Sequence, residues 1–349
     1  MKGFLRVLKI RHATLALITA CVFLSGLTCA AATELGIEGT RFTLNHRPVF
    51  LMGISYYGAL GATPENIRLD LDEMKRIGFN WIRVWATWAG FENNVSAVEG
   101  DGSPREPYLS NLKVLIQECD TRGMVVDVTL SRGNGVTGPS RLQSLDDLIH
   151  AAETLASQLQ AYRNWYLDMG NERNINDFRF VSIQELHAIA RHVKERDPRR
   201  LVTASNAGVM DKETLRAYLV EIPVDFVAIH LSRNEKSSSH TAPQIVQLLD
   251  SMKALGKSVP VHCQEPFRRG YQPGHFEPTA EDFIQDLQGA MQGGAAGWSF
   301  HNGDQKNQPE SRPRRSFDLR DSRLFDQLDS EEKAFLERLP ALLKSDREK

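Results

Sequence analysis

Eight short apolar runs, each followed by an amphipathic stretch, constrain this chain more than any other feature. The runs cover residues 49–55, 79–85, 124–130, 165–171, 201–206, 225–230, 259–265 and 296–301. They are too short for ordinary helices, and many are rich in Val and Ile. Successive positions are apolar rather than alternate ones. This pattern predicts strands of a parallel sheet covered on both faces by helices. The clearest intervening helix is 64–77. Thr63 can cap it, and Pro64 takes the first helical position. Ile67, Leu71, Met74 and Ile77 form one stripe, and Gly78 ends it. Similar helices are expected near 108–122, 141–162, 182–197, 211–221, 241–256, 278–292 and 330–345.

Eight strand–helix units in roughly 250 residues predict an α/β fold, a (β/α)8 TIM barrel, as one domain over 36–349. The rival is an open doubly wound sheet, which usually carries a glycine-rich turn after its first strand. Gly58 and Gly61 lack the dinucleotide-binding spacing. A short N-terminal hairpin is expected over 41–50, turning at Asn45-His46-Arg47-Pro48 and placed to cover the barrel floor. Residues 302–328 are expected to form a long polar loop over the barrel surface.

Residues 1–32 read as a secretory signal peptide. A basic start is followed by an almost uncharged apolar run over 13–30 and then by Ala30, Ala31 and Ala32. A membrane anchor is the other reading of about 18 apolar residues. Ile18-Thr19-Ala20-Cys21 also resembles a lipoprotein processing box, although Val22 to Leu27 stays apolar behind it. The expected location is therefore secreted or periplasmic, with no stable membrane span after cleavage. Removal of the leader leaves 38 basic residues against 44 acidic ones. A mildly acidic chain gives no electrostatic reason to expect a nucleic-acid partner. Past the leader only Cys119 and Cys263 remain, which neither make a disulfide framework nor have metal-ligand spacing.

Active sites of such barrels lie at the C-terminal ends of the strands. The polar and aromatic residues there are Arg83 and Trp85, Asn171 and Glu172, His230, Glu265, and Trp298 with His301. Strands four and seven face one another across an evenly spaced ring, so Glu172 and Glu265 can flank a sugar. Glycosidic cleavage needs such a pair, one carboxylic acid to protonate the leaving oxygen and one carboxylate to attack or to activate water. Arg83 can hold Glu265 ionised, Asn171 can bond a sugar hydroxyl, and Trp298 can floor a sugar face. Trp85, Trp88, Tyr56 and Tyr57 are further stacking candidates, with ordinary burial as the alternative. Arg233, Arg268 and Arg269 follow strands six and seven. They are read as solvated surface charges, or else as readers of a carboxylate on an acidic sugar.

With Asn171-Glu172 ending strand four, Glu265 ending strand seven, Arg83 on strand two and Trp298 on strand eight, the chain resembles the retaining glycoside hydrolases of clan A. It is most similar to the cellulase-like family 5, over residues 39–303. The resemblance implies Glu172 as general acid/base, Glu265 as nucleophile, and Arg83 steadying that nucleophile. It further implies Asn171 on the sugar hydroxyl, His230 and Trp298 lining the reacting subsite, a carbohydrate substrate, and no metal or organic cofactor. Two departures stand out. Thr129-Leu130-Ser131-Arg132 replaces a frequent histidine at strand three. His230-Leu231-Ser232 lacks the strand-six tyrosine that touches the nucleophile, leaving Tyr56, Tyr57 or Tyr271 to supply a hydroxyl. A non-catalytic carbohydrate-binding barrel of the cell envelope is the alternative.

Overall fold

The computed structural model describes residues 32–133, 141–271, 276–304 and 313–347. The expected leader, with its lipoprotein box at Cys21, lies outside the described residues.

Eight barrel strands follow in chain order. They are Leu51–Ser55, Trp81–Trp85, Val125–Thr129, Trp165–Asp168, a fifth in two pieces (Val202–Thr203 and Asn206–Ala207), Val227–His230, Val261–Cys263 and Gly297–Phe300. Each pairs in parallel with its neighbours, and strand eight pairs with strand one. The first piece of strand five pairs with strand four and the second with strand six, so the ring closes through one interrupted strand. At the interruption side chains replace the missing ladder. Ala204 N donates to Tyr218 Oη at 2.8 Å, Tyr218 Oη donates to Ala204 O at 2.9 Å, and Ser205 N donates to Asp168 Oδ1 at 3.0 Å. Backbone groups buried at such a point need partners of this kind.

Helices cover the ring: Pro64–Ile77, Tyr108–Thr121, Leu145–Gln158, Ile183–Arg196, Lys212–Glu221, Ser237–Ala254, Ala280–Gly293 and Ser330–Arg347. Local chemistry starts and stops them. Thr63 Oγ1 accepts from Asn66 N, and Gly78 ends that helix at φ 111°. Ser144, Ser182 and Thr279 each open a helix with a reciprocal capping box. The stripe Ile67, Leu71, Met74 and Ile77 is buried against the barrel, which stabilises by about 1.5–3 kcal/mol per side chain. Among the described residues, no helix is long and apolar enough to cross a membrane.

The expected N-terminal hairpin is part of a three-stranded antiparallel sheet, Leu35–Glu38, Arg41–Leu44 and Arg47–Val49. Asn45 and His46 turn it at φ 50° and 63°, as a two-residue hairpin requires. Phe42 belongs to a buried cluster with Leu51, Trp81, Val125, Tyr166 and Phe226, which fills the floor of the ring. Its ring meets Phe226 edge-on at 5.0 Å. A Cβ at Gly53 would run into the backbone carbonyl of Trp81 and stand 2.5 Å from its Cε3, so a bare backbone on strand one lets strand two and its indole approach. The described part of 302–328 does more than lie over the surface. Phe317 is buried and stacks on Tyr57 with ring centroids 5.5 Å apart.

Candidate active site

The centre of the barrel mouth is built on Arg83, which strand two buries completely. Its Nη1 donates to Glu265 Oε1 at 2.5 Å, and its Nη2 donates to Asp168 Oδ2 at 2.8 Å and Asn171 Oδ1 at 3.0 Å. Its Nε donates to Thr129 Oγ1 at 3.0 Å and lies 3.3 Å from Asp127 Oδ2. A planar guanidinium with five fixed donors is suited to orienting several acceptors at once. Arg83 thereby links the residues that end strands three, four and seven.

Glu265 receives a second hydrogen bond on Oε1, from Tyr57 Oη at 2.8 Å. Of the three tyrosines considered from sequence, the one that reaches this carboxylate stands just after strand one. Tyr56 instead donates to Asp70, and Tyr271 lies beneath two guanidiniums. Burial, then the negative charge of Glu265, push the Tyr57 hydroxyl well above its usual range, so it stays a donor. Burial alone would raise Glu265. The neighbouring His230 and the charges of Arg83 and Arg233 outweigh it and hold this carboxyl well below the usual range.

Glu172 follows strand four at φ 46°, a left-handed conformation that costs a non-glycine residue about 1–3 kcal/mol. Its backbone N–H donates to Ser205 Oγ at 3.1 Å, which fixes the turn. His230 Nδ1 lies 3.2 Å from Glu172 Oε1 and 3.5 Å from Glu265 Oε2. Arg179 Nη1 donates to Glu172 Oε2 at 2.9 Å. Arg233 Nη2 donates to Glu265 Oε2 at 2.8 Å and to Glu172 Oε1 at 3.4 Å. Burial pushes the Glu172 carboxyl up, but the His230 hydrogen bond and the Arg233 charge bring it below the usual range. One ligand atom from each of Glu172, His230 and Glu265 falls within a sphere of contacts no wider than 4.8 Å, a spacing that could hold a metal ion. Here the guanidinium of Arg233 makes the cationic contact to both carboxylates.

These groups open into a cleft of about 350 Å³, lined by Trp85, Trp88, Asn171 and Phe178 beside the two glutamates. Trp85 and Trp88 pack edge to face at 5.4 Å, and both are nearly buried. Their indole N–H groups are buried and have no partner among the described residues. A larger hollow of about 640 Å³ lies at the opposite end, beside Arg41, Phe50 and Lys253. Among the described residues its lining holds one acid, Asp250, and no histidine.

The structure thus brings Arg83, Asn171, Glu172, His230 and Glu265 together, and leaves Trp298 elsewhere. Trp298 is fully buried, donates from Nε1 to Asp286 Oδ2 at 2.6 Å, and packs on Phe335 of the last helix. It cannot floor a sugar. Strand parity is the reason. Trp298 and Phe300 both meet Phe335 in the helical layer, while His301 comes within 3.9 Å of Glu265. The reading of Arg233 and Arg268 as solvated surface charges is also corrected, since Arg233 binds both glutamates and Arg268 is only 5 % exposed beside His301. Arg269 does lie apart from the cleft, paired with Asp329. Arg179 was not foreseen, because nothing in the sequence of its loop marks it.

By fold the chain is a (β/α)8 barrel, similar to those of several solved glycoside hydrolases. In particular it is similar to a family 5 glycoside hydrolase from Bacteroides vulgatus, with a TM-score of 0.65 and 14 % identity over 89 % of this chain and 71 % of that one. It is also similar to a family 5 mannosidase from Rhizomucor miehei, with a TM-score of 0.64 and 14 % identity over 91 % and 99 % of the two chains. An endo-1,4-beta-mannanase from the same organism matches with a TM-score of 0.59 and 15 % identity over 89 % and 99 %. No family model matches the chain, and no curated protein matches it.

Proposed function

We propose that the chain is a retaining glycoside hydrolase that cleaves β-linked sugars, with Glu172 as acid/base and Glu265 as nucleophile. The observation that carries this reading is the pairing of two unlike carboxylates across one cleft. Glu265 is held by Arg83 and Tyr57, and an oxygen of Glu172 stands within 4.8 Å of it. Retaining enzymes keep their carboxyl groups about 5–5.5 Å apart, whereas inverting ones leave room for a water at about 6.5–9.5 Å. An ionised Glu265 suits attack on the anomeric carbon. Glu172 would protonate the leaving oxygen and then draw a proton from the water that releases the sugar. Asn171, its amide oriented by Arg83, is available to a hydroxyl of the reacting sugar. The barrel likeness to family 5 enzymes, two of them named for mannose chemistry, adds support for a carbohydrate substrate. The proposal includes export from the cytoplasm by the leader over 1–32.

A second reading, a carbohydrate-binding barrel without turnover, is favoured by one observation. The His230 hydrogen bond and the Arg233 charge hold the Glu172 carboxyl low, which keeps it ionised and so without a proton to donate. The test is hydrolysis of aryl β-glycosides and β-glycans by the mature chain, beside Glu172→Ala and Glu265→Ala, with the product anomer followed by NMR. Turnover with retained configuration that both variants lose supports the hydrolase. Sugar binding by a parent chain that cleaves nothing supports the binding barrel. Inverted product would overturn the double-displacement mechanism.

A further inference from the structure

We infer that the hollow between the second piece of strand five and the helix Lys212–Glu221 binds a small organic oxyacid, whose carboxylate or phosphate pairs with Arg173. Its occupancy does not depend on the glycoside reading of the cleft. Arg173 directly follows Glu172 in the chain, yet it lines this separate hollow of about 350 Å³ and not the cleft.

Arg173 is only 4 % exposed. Its backbone is fixed, since its N–H donates to Ser205 O at 3.0 Å and its carbonyl accepts from Val181 N at 2.9 Å. The guanidinium has no such ties. Its Nε and Nη2 are buried without a partner among the described residues, which leaves Nη1 to meet the hollow. Other arginines buried as deeply are matched by acids. Arg83 pairs with Asp168 at 2.8 Å, Arg200 with Asp197 at 2.9 Å, and Arg315 with Asp304 at 3.0 Å. Among the described residues no carboxylate pairs with Arg173 in this way. Asp211 and Glu213 stand at the rim and are exposed, and Asp211 already caps the helix by accepting from Thr214 N at 2.8 Å. Burial accordingly brings Arg173 below its usual range, opposed only by the phenol of Tyr218. A buried charge without a partner is costly. Because a guanidinium delocalises its charge, one oxyanion at Nη1 answers the whole group.

The walls describe the rest of the ligand. Ile183, Val209 and Met210 offer apolar surface. The two amides beside them are engaged. Asn174 accepts from Ala207 N at 2.7 Å and donates to Ala207 O at 3.0 Å, and Asn206 Nδ2 donates to the carbonyls of Ala207 and Gly208. An apolar carbon body carrying one anionic head therefore suits the hollow better than a polyol.

The experiment is calorimetric titration of the mature chain with benzoate and with phenyl phosphate, beside benzyl alcohol as the neutral counterpart. One equivalent of an anion should bind with a Kd of about 1 mM or tighter. Benzyl alcohol should bind about 10-fold or more weakly, and Arg173→Met should weaken the anion by about the same factor. Arg233→Met, which alters the cleft, should leave the anion's affinity unchanged. Benzoate against phenyl phosphate distinguishes a carboxylate from a phosphate as the head group. In the parent, the bound anion should also shift the NMR signal of the isotope-labelled Met210 methyl group, assigned through Met210→Leu. That signal decides should Arg173→Met not fold. No saturable binding of either anion would overturn the inference. So would binding that Arg173→Met retains, or binding that leaves the Met210 signal unmoved.

Discussion

The two ends of the barrel interior are built from the same strands by opposite means. At the floor, Phe42, Trp81, Tyr166, Phe226 and His262 meet ring to ring. Even the histidine acts as an aromatic there, since burial, then the charges of Arg83 and His230, bring it down to about 3 and leave it neutral. At the mouth, Arg83 alone contacts three carboxylates, and Glu265 receives hydrogen bonds from two arginines and a tyrosine. The floor is held by apolar burial, which does not titrate. The mouth is held by charges that stabilise only while they stay ionised and matched. Stability and chemistry are thus separated along the barrel axis by a few rungs of sheet.

The largest effect expected from this contrast is at the mouth. Glu265→Gln should lower kcat by about 10⁴-fold or more in the glycosidase assay, and residual turnover near that of the parent would remove Glu265 from the chemistry. At the floor, Phe42→Ala should cost about 3–5 kcal/mol in denaturant unfolding. Its kcat/KM should stay near the parent's wherever it is folded. The two variants should also part in acid. Glu265 has a depressed carboxyl, so its contribution is present above the ordinary unfolded value near 4.3 and is lost as pH falls below it. Stability plotted against pH should therefore keep its shape in Phe42→Ala and lose part of its acid limb in Glu265→Gln. Equal slopes in all three proteins would erase the distinction.

Tyr57→Phe removes one hydrogen bond to a charged acceptor, of about 1.5–3 kcal/mol, so kcat should fall about 10- to 100-fold with little change in KM. A loss confined to KM would make Tyr57 a binding group. The smallest effect is a displacement in pH. Arg233 helps hold Glu172 low, so Arg233→Met lets its pKa rise and the protonated acid persist to higher pH. The basic limb of kcat/KM, which reports the free enzyme, should move upward by about one pH unit. An unmoved limb would assign that limb to another group.

The fold was legible because a parallel sheet covered on both faces writes itself as short continuous apolar runs, and eight of them leave few alternatives. The strand-end residues Arg83, Asn171, Glu172 and Glu265 were legible for a related reason, since barrels place chemistry where strands stop. Trp298 was misjudged through parity, because one residue along a strand exchanges the interior for the helical layer. Its neighbour across the ladder, Cys263, sits in the same outer core and could have given the register. Arg179 and Arg233 ride on loops whose paths obey no period, and only the folded backbone brings them to the glutamates. Tyr57 was visible as a candidate, but choosing it over Tyr56 required knowing which way the chain turns after Ser55.

The interrupted fifth strand has a mechanical meaning. Where Tyr218 and Asp168 stand in for a missing run of ladder, the hoop of hydrogen bonds has a clasp instead of a continuous weld. Glu172 is pinned to that clasp through Ser205, and Asp168 pins it to Arg83. Glu172, the proposed proton donor, is therefore mounted beside the interrupted strand, while Glu265, the proposed nucleophile, follows an uninterrupted one.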